Sequence, residues 1–424
     1  MIASNRRTNG SERRVVITGI GTVTPIGVGR EGLWDGLRAQ RSVVRTVSRF
    51  DPSPFRSHVA AEVDDFHPGD FIEARRAKRL DRFGQFAVAA ARMALADAGL
   101  DPAHEDRSRV GAMMGTALGG VGYAEEQLGR YLTGGLRAVD ATLALAVFGG
   151  AASCNIAIEF GLSGPNSTNA MSCASGSLAI GEAMRQIRWG YADVMIAGGA
   201  EAPLFPLCFG SFALIRAMST RNDAPAAASR PFDAARDGFV MAEGAAVLVL
   251  EERSRALARG APVVAELIGF GSTNDGFHMT APHPDGREAA RAMRLALDDA
   301  HLAPHDVQYV NAHGSSTPLN DPAETLAIRA ALGEHATRIP VSGTKGYHGH
   351  ALGATGAWEA AICALALSRG WIPPTVNLET PDPACDLDCV PGNGRALDLD
   401  VVLSNSFGFG GINACLALRR DDGR

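Results

Sequence analysis

The chain has no uninterrupted apolar run of about 20 residues, so no membrane span is expected. It has no excess of positive charge. Lys and Arg number 40 against 46 Asp and Glu, a net −6, which gives no footprint for bulk nucleic-acid binding. Its seven cysteines are odd in number and widely scattered, which argues for a reducing compartment, with a cytoplasmic location expected, rather than for a disulfide framework. Cys385 and Cys389 flank Asp-Leu-Asp, but no second Cys/His pair has finger-like spacing, so no metal site is expected. Met1 to Arg14 is polar and basic, and residues 1–13 read as a disordered tail. Val15 to Val28 superficially resembles a signal peptide. Gly19, Gly21, Thr22, Thr24, Pro25 and Gly27 interrupt it, so a buried strand and a tight turn are expected instead.

What remains is ordinary for a soluble enzyme: 424 residues, 46% hydrophobic and 20% charged, with a length that suggests two or three units. Strand-like and helix-like runs alternate, which predicts an α/β layered fold. Strands are expected at Arg14–Gly19, Val110–Met114, Asp193–Ala197, Ala245–Glu251, Val263–Phe270, Val307–Ala312 and Val401–Ser404. Helices are expected at Ala77–Ala98, Gly176–Trp189, Arg287–Ala300, Asp321–Leu332 and Gly353–Ser368. The two halves of the chain repeat each other. Arg92 to Pro102 matches Arg294 to Pro304. Cys173-Ala174-x-Gly176 matches His350-Ala351-x-Gly353, and Asp193 to Ile196 resembles Asp400 to Leu403. Three pairs in one order imply two related half-domains, 14–260 and 261–424. Under this alignment Cys173 and His350 occupy equivalent helix N-termini and could face one site. Ser219–Glu243 lies between the halves. Its Ser229–Asp233 and Arg236–Val240 pieces read as ordered turns beside a functional surface, or as a plain long connection.

Four stretches carry candidate chemistry. Asn169 to Ala183 places Cys173 at the mouth of a helix whose first turns are Ala, Ser and Gly. Free N–H groups and the positive dipole end there favour an anion and are expected to lower the thiol pKa; alone, such a cysteine is more often structural. Asn311 to Asp321 places His313 at a strand end, followed by a polar loop. Ser342 to Gly356 is a glycine-rich loop without a Gly-Lys-Ser/Thr ending, so it is not a nucleotide P-loop. It contains Lys345, His348 and His350, and the repeat selects His350. Asn405 to Asn413 follows the last expected strand; a phenylalanine there could gate a pocket, and a backbone N–H could serve an oxyanion hole. A thiol, two histidines, a lysine and a glycine loop suit carbonyl chemistry on thioesters.

These residues resemble the β-ketoacyl-acyl carrier protein synthases of the elongating type II kind, in the thiolase-like superfamily, from about Arg14 to Leu418. Ser48 to Phe55, Ser229 to Glu252, Phe277 to Pro282 and the four motifs carry the likeness. The resemblance implies a five-layered α-β-α-β-α fold of two pseudo-two-fold-related halves, a homodimer, and a decarboxylating Claisen condensation. It implies acyl transfer to Cys173, an oxyanion hole from the N–H groups of Cys173 and Phe409, and hydrogen bonds from His313 and His350 to the malonyl thioester. Lys345 would organise the site, supported by Glu324. Ser315 and Thr317 would contact the pantetheine arm, and Phe407 and Phe409 would bound the substrate pocket. Arg75, Arg76, Lys78, Arg79 and Arg216 would meet an acidic carrier protein. No cofactor is implied beyond the phosphopantetheine that carries the substrate.

The sequence departs from the commonest pattern. Met171 to Gly176 stands for Thr-Ala-Cys-Ala-Thr-Gly, Lys345 to His350 for Lys-Ser-Met-Thr-Gly-His, and Ser315 for a usual Thr. These departures put housekeeping fatty-acid elongation in question and fit polyketide or other specialised acyl biosynthesis; the alternative is a specialised-metabolite ketosynthase subunit working with a related partner subunit. A degradative thiolase would want a second catalytic cysteine late in the chain. Cys415 lies beyond the glycine loop, where Phe407-Gly408-Phe409 stands instead.

Overall fold

The computed structural model describes residues 13–423. The first half supplies β1 (Val15–Thr24), α1 (Arg82–Asp97), β2 (Val110–Gly115), β3 (Asn166–Asn169), α2 (Ser175–Arg188), β4 (Val194–Glu201) and β5 (Gly244–Glu252). The second supplies β6 (Ala265–Asn274), α3 (Arg287–Asp299), β7 (Tyr309–Asn311), α4 (Asn320–Leu332), β8 (Val341–Ser342), α5 (Thr355–Arg369), β9 (Val401–Gly408) and β10 (Ile412–Arg419). The strand order is β8-β7-β9-β10-β6-β1-β5-β4-β2-β3. It reads the same from its centre outwards in both directions. In each half two antiparallel pairings are followed by two parallel ones. The halves join where β1 and β6 pair over Val15↔Leu267 to Ile17↔Ala265.

Alternation along the strands builds the layers. Val194 and Ile196 of β4 pack outwards with α1, whereas Met195 and Ala197 pack inwards with α2 and α5. Val401 and Leu403 of β9 pack outwards with α3 and α4, and Val402 packs inwards. Strands covered on both faces read as continuous apolar runs. The result is the expected helix–sheet–helix–sheet–helix stack, in which the two halves of the continuous sheet are the β layers and α2 and α5 lie between them.

The repeat has a physical cause. The β1 ladder slips between Ile17 and Gly19, and the β6 ladder between Leu267 and Gly269. Each slip is followed by an amide that the helix-end aspartate accepts: Ile20 N–H to Asp97 Oδ2 and Phe270 N–H to Asp299 Oδ2, both 2.9 Å. The repeated Asp is there to satisfy the bulge. A Cβ on Gly21 would stand 2.0 Å from Ala90 O, and one on Gly271 2.0 Å from Ala292 O, so α1 and α3 lie directly on their strands.

The structure also corrects the sequence reading. The alignment of Cys173 with His350 is one helical turn out of register. A 3-10 turn Ser172–Ala174 leads into α2 and an equivalent turn Leu352–Ala354 leads into α5, so the counterpart of Cys173 is Gly353. Small residues fill both entrances, so two registers look alike in sequence. The expected helix Ala77–Ala98 is two pieces, because Asp81 caps α1 by accepting from Phe83 N–H. β10 and the polar edge strand β3 are additional to the expected strands. The expected disordered tail lies outside the described residues except for Arg13, whose guanidinium is held 2.5 Å from Asp193. No helix among the described residues is long and apolar enough to cross a membrane.

Gly21→Ala and Gly271→Ala should each cost about 1–3 kcal/mol or more of stability by overpacking. Chemical denaturation of the two variants checks this; wild-type stability in both would refute the tight helix–strand contact.

Candidate active site

Cys173 is the middle residue of the turn entering α2. Ser172 before it holds a left-handed φ of 52°, as Leu352 does at 42° in the counterpart turn. Such strain in a non-glycine residue persists only where surrounding structure enforces it. Gly408 closes over this turn: a Cβ there would come 3.0 Å from Cys173 N. That close approach brings the Phe409 backbone N–H near enough to the Cys173 sulfur to favour its charged form. The thiol itself differs from expectation. Burial pushes it above its ordinary range, and the Ser172 hydroxyl, the Lys345 charge and the Phe409 N–H only partly offset this. Burial therefore favours the neutral thiol.

His313 follows β7, and its N–H and that of Gly314 donate to Glu324 on α4, both at 2.8 Å. His350 is held in an isolated bridge to Met241, with N–H to Val240 O at 2.7 Å, and its Nδ1 lies 3.0 Å from Thr355 Oγ1. The two rings meet edge to face with centroids 5.3 Å apart. Burial holds both imidazoles well below their usual range, and the Lys345 cation lowers them further. Both are therefore neutral at neutral pH and can donate one N–H each. His348 is elsewhere: its ring packs edge-on against Trp358, and its Nδ1 lies 2.7 Å from Gly349 O.

Lys345 lies behind the histidines, 1% exposed. Its ammonium donates to His313 O and to Glu359 Oε1, the latter at 2.5 Å. Burial leaves Glu359 and Glu324 each raised to about 7, even though the Lys345 charge lowers both and the Gly314 and His313 amides lower Glu324 further. Glu359 was not among the expected site residues, because a carboxylate in an apolar helix gives no signal of the lysine 14 positions earlier.

Cys173, His313 and His350 line one cavity of about 280 Å³. Ser315, Thr317, Phe407 and Phe409 line it too, with the Ser315 and Thr317 hydroxyls 2.9 Å apart. Phe409 stacks on Phe212, and Phe407 tilts against His313. The sequence reading missed Phe239, edge-on to His350 at 5.5 Å, and Met279, whose carbonyl accepts from Gly410 N–H. Of the expected basic surface, Arg216 stands at the cavity mouth, while Arg75, Lys78 and Arg79 are exposed away from the lining. Arg76 is withdrawn: it pairs with Glu159 at 2.5 Å and donates to Asn155 O. Cys415 is fully buried in the outer core of the second half, and Cys385 and Cys389 lie in the same cluster. Ser229–Asp233 is an ordered turn against the site: Arg230 N–H donates to Ser316 Oγ and Phe232 N–H to Asp321, both at 2.9 Å.

The family model for the β-ketoacyl synthase N-terminal domain matches residues 12–256, and that for the C-terminal domain matches 264–379. The chain belongs to the β-ketoacyl synthase family. It is 47% identical to 3-oxoacyl-[acyl-carrier-protein] synthase 2 of Synechocystis sp., over 97% of this chain and 99% of that one. It is 46% identical to the tetracenomycin polyketide synthase ketoacyl synthase alpha subunit of Streptomyces glaucescens, over 97% and 98%. Among solved structures, a type II polyketide-synthase acyl carrier protein in complex with its hexaketide-bound ketosynthase matches with a TM-score of 0.90 and 38% identity. That match covers 97% of this chain and 100% of that one. The ishigamide ketosynthase/chain length factor matches with a TM-score of 0.91, also at 38% identity and over the same shares.

In this synthase His313 and His350 should remain neutral at pH 6.5, where a free histidine is half protonated. Replacing Lys345 by Met removes the repelling cation, so both imidazoles should titrate at higher pH. A pH series of histidine NMR signals measures this; an unchanged or downward shift would contradict the assigned field.

Proposed function

We propose that this β-ketoacyl synthase joins an acyl chain to a malonyl unit, both delivered by acyl carrier protein, in fatty acid or polyketide-type biosynthesis. Cys173 takes the acyl group: its sulfur bonds to the thioester carbonyl carbon, and the pantetheine thiol leaves carrying the proton. The developing oxyanion would be met by the backbone N–H groups of Cys173 and Phe409, the latter beside the sulfur where Gly408 closes over the turn. Malonyl thioester then enters between His313 and His350. Two neutral imidazole N–H groups stabilise the enolate as the carboxylate leaves as CO2. The carbanion attacks the acyl carbonyl, and the tetrahedral species collapses, breaking the bond to Cys173 and leaving its thiolate to take up a proton. Each step needs only hydrogen-bond donors and proximity, so the proposed reaction calls for no resident cofactor. The observation that carries this reading is the convergence of one thiol and two neutral imidazoles on a single cavity.

Arg216 at the mouth suits electrostatic capture of an acidic carrier protein, with Arg75, Lys78 and Arg79 adding a field rather than contacts in the cavity. We infer that two copies assemble. The edge strand β3 pairs on one side only among the described strands, and the first half exposes Leu132 and Leu136, 74% and 78% accessible. A related non-identical subunit is the second reading, favoured by the polyketide relatives.

Cys173→Ala should abolish the mass gain seen on mixing with acyl carrier protein, and a thiol alkylator should block it in the wild type. His313→Ala and His350→Ala should each slow malonyl decarboxylation by about 100-fold, as expected for a lost oxyanion donor. Condensation by Cys173→Ala, or full decarboxylation in both histidine variants, would overturn the assignment. Light scattering of the purified chain separates self-pairing from dependence on another subunit; a monomer alone would refute self-pairing.

A further inference from the structure

β4 and β9 are equivalent eight-residue strands, and their last residues behave differently. β9 ends at Gly408, which opens the way for the Phe409 N–H beside Cys173. β4 ends at Glu201, whose carboxylate reaches the counterpart turn Leu352–Ala354. Its Oε2 accepts from Gly353 N–H at 3.0 Å and from Ala117 N–H at 2.6 Å. Its Oε1 accepts from Leu118 N–H at 3.1 Å and Thr116 Oγ1 at 3.0 Å. The Thr116 hydroxyl itself accepts from Gly119 N–H at 2.9 Å, so its one proton goes to Glu201. Gly353 stands where Cys173 stands in the other half. The hole left open for substrate in one half is thus occupied by the protein's own carboxylate in the other.

We propose that Glu201 is a positioning residue, a buried carboxyl group whose two oxygens tie the loop after β2 to the turn that follows His350. This rests on the condensing-enzyme reading. Both tied segments border the nucleophile: Leu352 lines the cavity, and Ala117 and Leu118 pack against the cluster containing Cys173. Glu201 is fully buried, which pushes its carboxyl up to about 7 even though four donors favour the charged form, and two donors on each oxygen leave no place for an amide. In Glu201→Gln one pair of donors faces an NH2 group. Its charge acts in the opposite direction, because it raises the Cys173 thiol. Loss of charge alone would speed thiol chemistry, whereas loss of position slows it.

The test is the rate at which acyl carrier protein acylates Cys173, read by intact-protein mass. Glu201→Gln and Glu201→Ala should lower the maximal rate by about tenfold or more, the scale of unsatisfied buried donors, with the half-saturating carrier concentration unchanged. Formate should restore Glu201→Ala by refilling the cradle, and should not restore Glu201→Gln; chloride should restore neither. A wild-type or faster rate in Glu201→Gln overturns the proposal, as does a folded Glu201→Ala indifferent to formate. If Glu201→Ala does not fold, Glu201→Gln decides alone. If the wild type is never acylated, the enzymatic reading has failed and Cys173 alkylation by iodoacetamide becomes the readout. Formate must then return the Glu201→Ala alkylation rate to the wild-type value, or positioning fails too.

Discussion

One buried ammonium sets the electrostatics of this synthase. Lys345 is almost fully enclosed, yet it faces Glu359 at 2.5 Å and donates to the carbonyl of His313. A buried pair of this kind is weak evidence for stability, since desolvation of both ions opposes their attraction. Its value here lies in the field. The same cation lowers both imidazoles and draws down the Cys173 thiol. It therefore favours neutral donors and an accessible thiolate at once, which are the two states the proposed condensation requires. Glu324 fixes the His313 backbone against this charge through two amide donors, so orientation and field come from adjacent residues.

The two halves share a frame and divide the work. Each uses a bulge on a central strand, an aspartate at the end of the following helix to satisfy it, and glycines that let helix and strand touch. Each presents a left-handed residue before the helix that enters the centre. At that point they diverge. The first half places a nucleophile in the turn; the second places Gly353 there and brings its histidine from three residues earlier. Close passage of α2 and α5 makes the divergence productive: a Cβ on Gly176 would stand 2.8 Å from Ala357 N, so the two turns lie against each other and share a cavity.

Much of the fold was legible because strands covered on both faces leave continuous apolar runs and covered helices leave small-residue stripes. The strands at Val110, Val194 and Val401 begin within a residue of their expected starts. β3 was invisible because its Asn, Ser, Thr and Asn sit on an edge, where no apolar run is required. β10 was missed because the glycine motif before it drew the reading to a loop. The thiol offers a different lesson. A helix entrance argues for a lowered pKa, and only burial, which sequence does not measure, reverses the sign.

The sequence by itself determined the duplicated α/β order, the strand-end motifs, and the residue types able to do thioester chemistry, because local periodicity and turn chemistry are written in neighbouring residues. Tertiary structure decided the register of the repeat, the partnership of Lys345 with Glu359, the protonation states of thiol and imidazoles, and the role open to Glu201. All of these depend on distances between segments far apart in the chain and on exclusion of water from the space between them. A linear pattern carries neither.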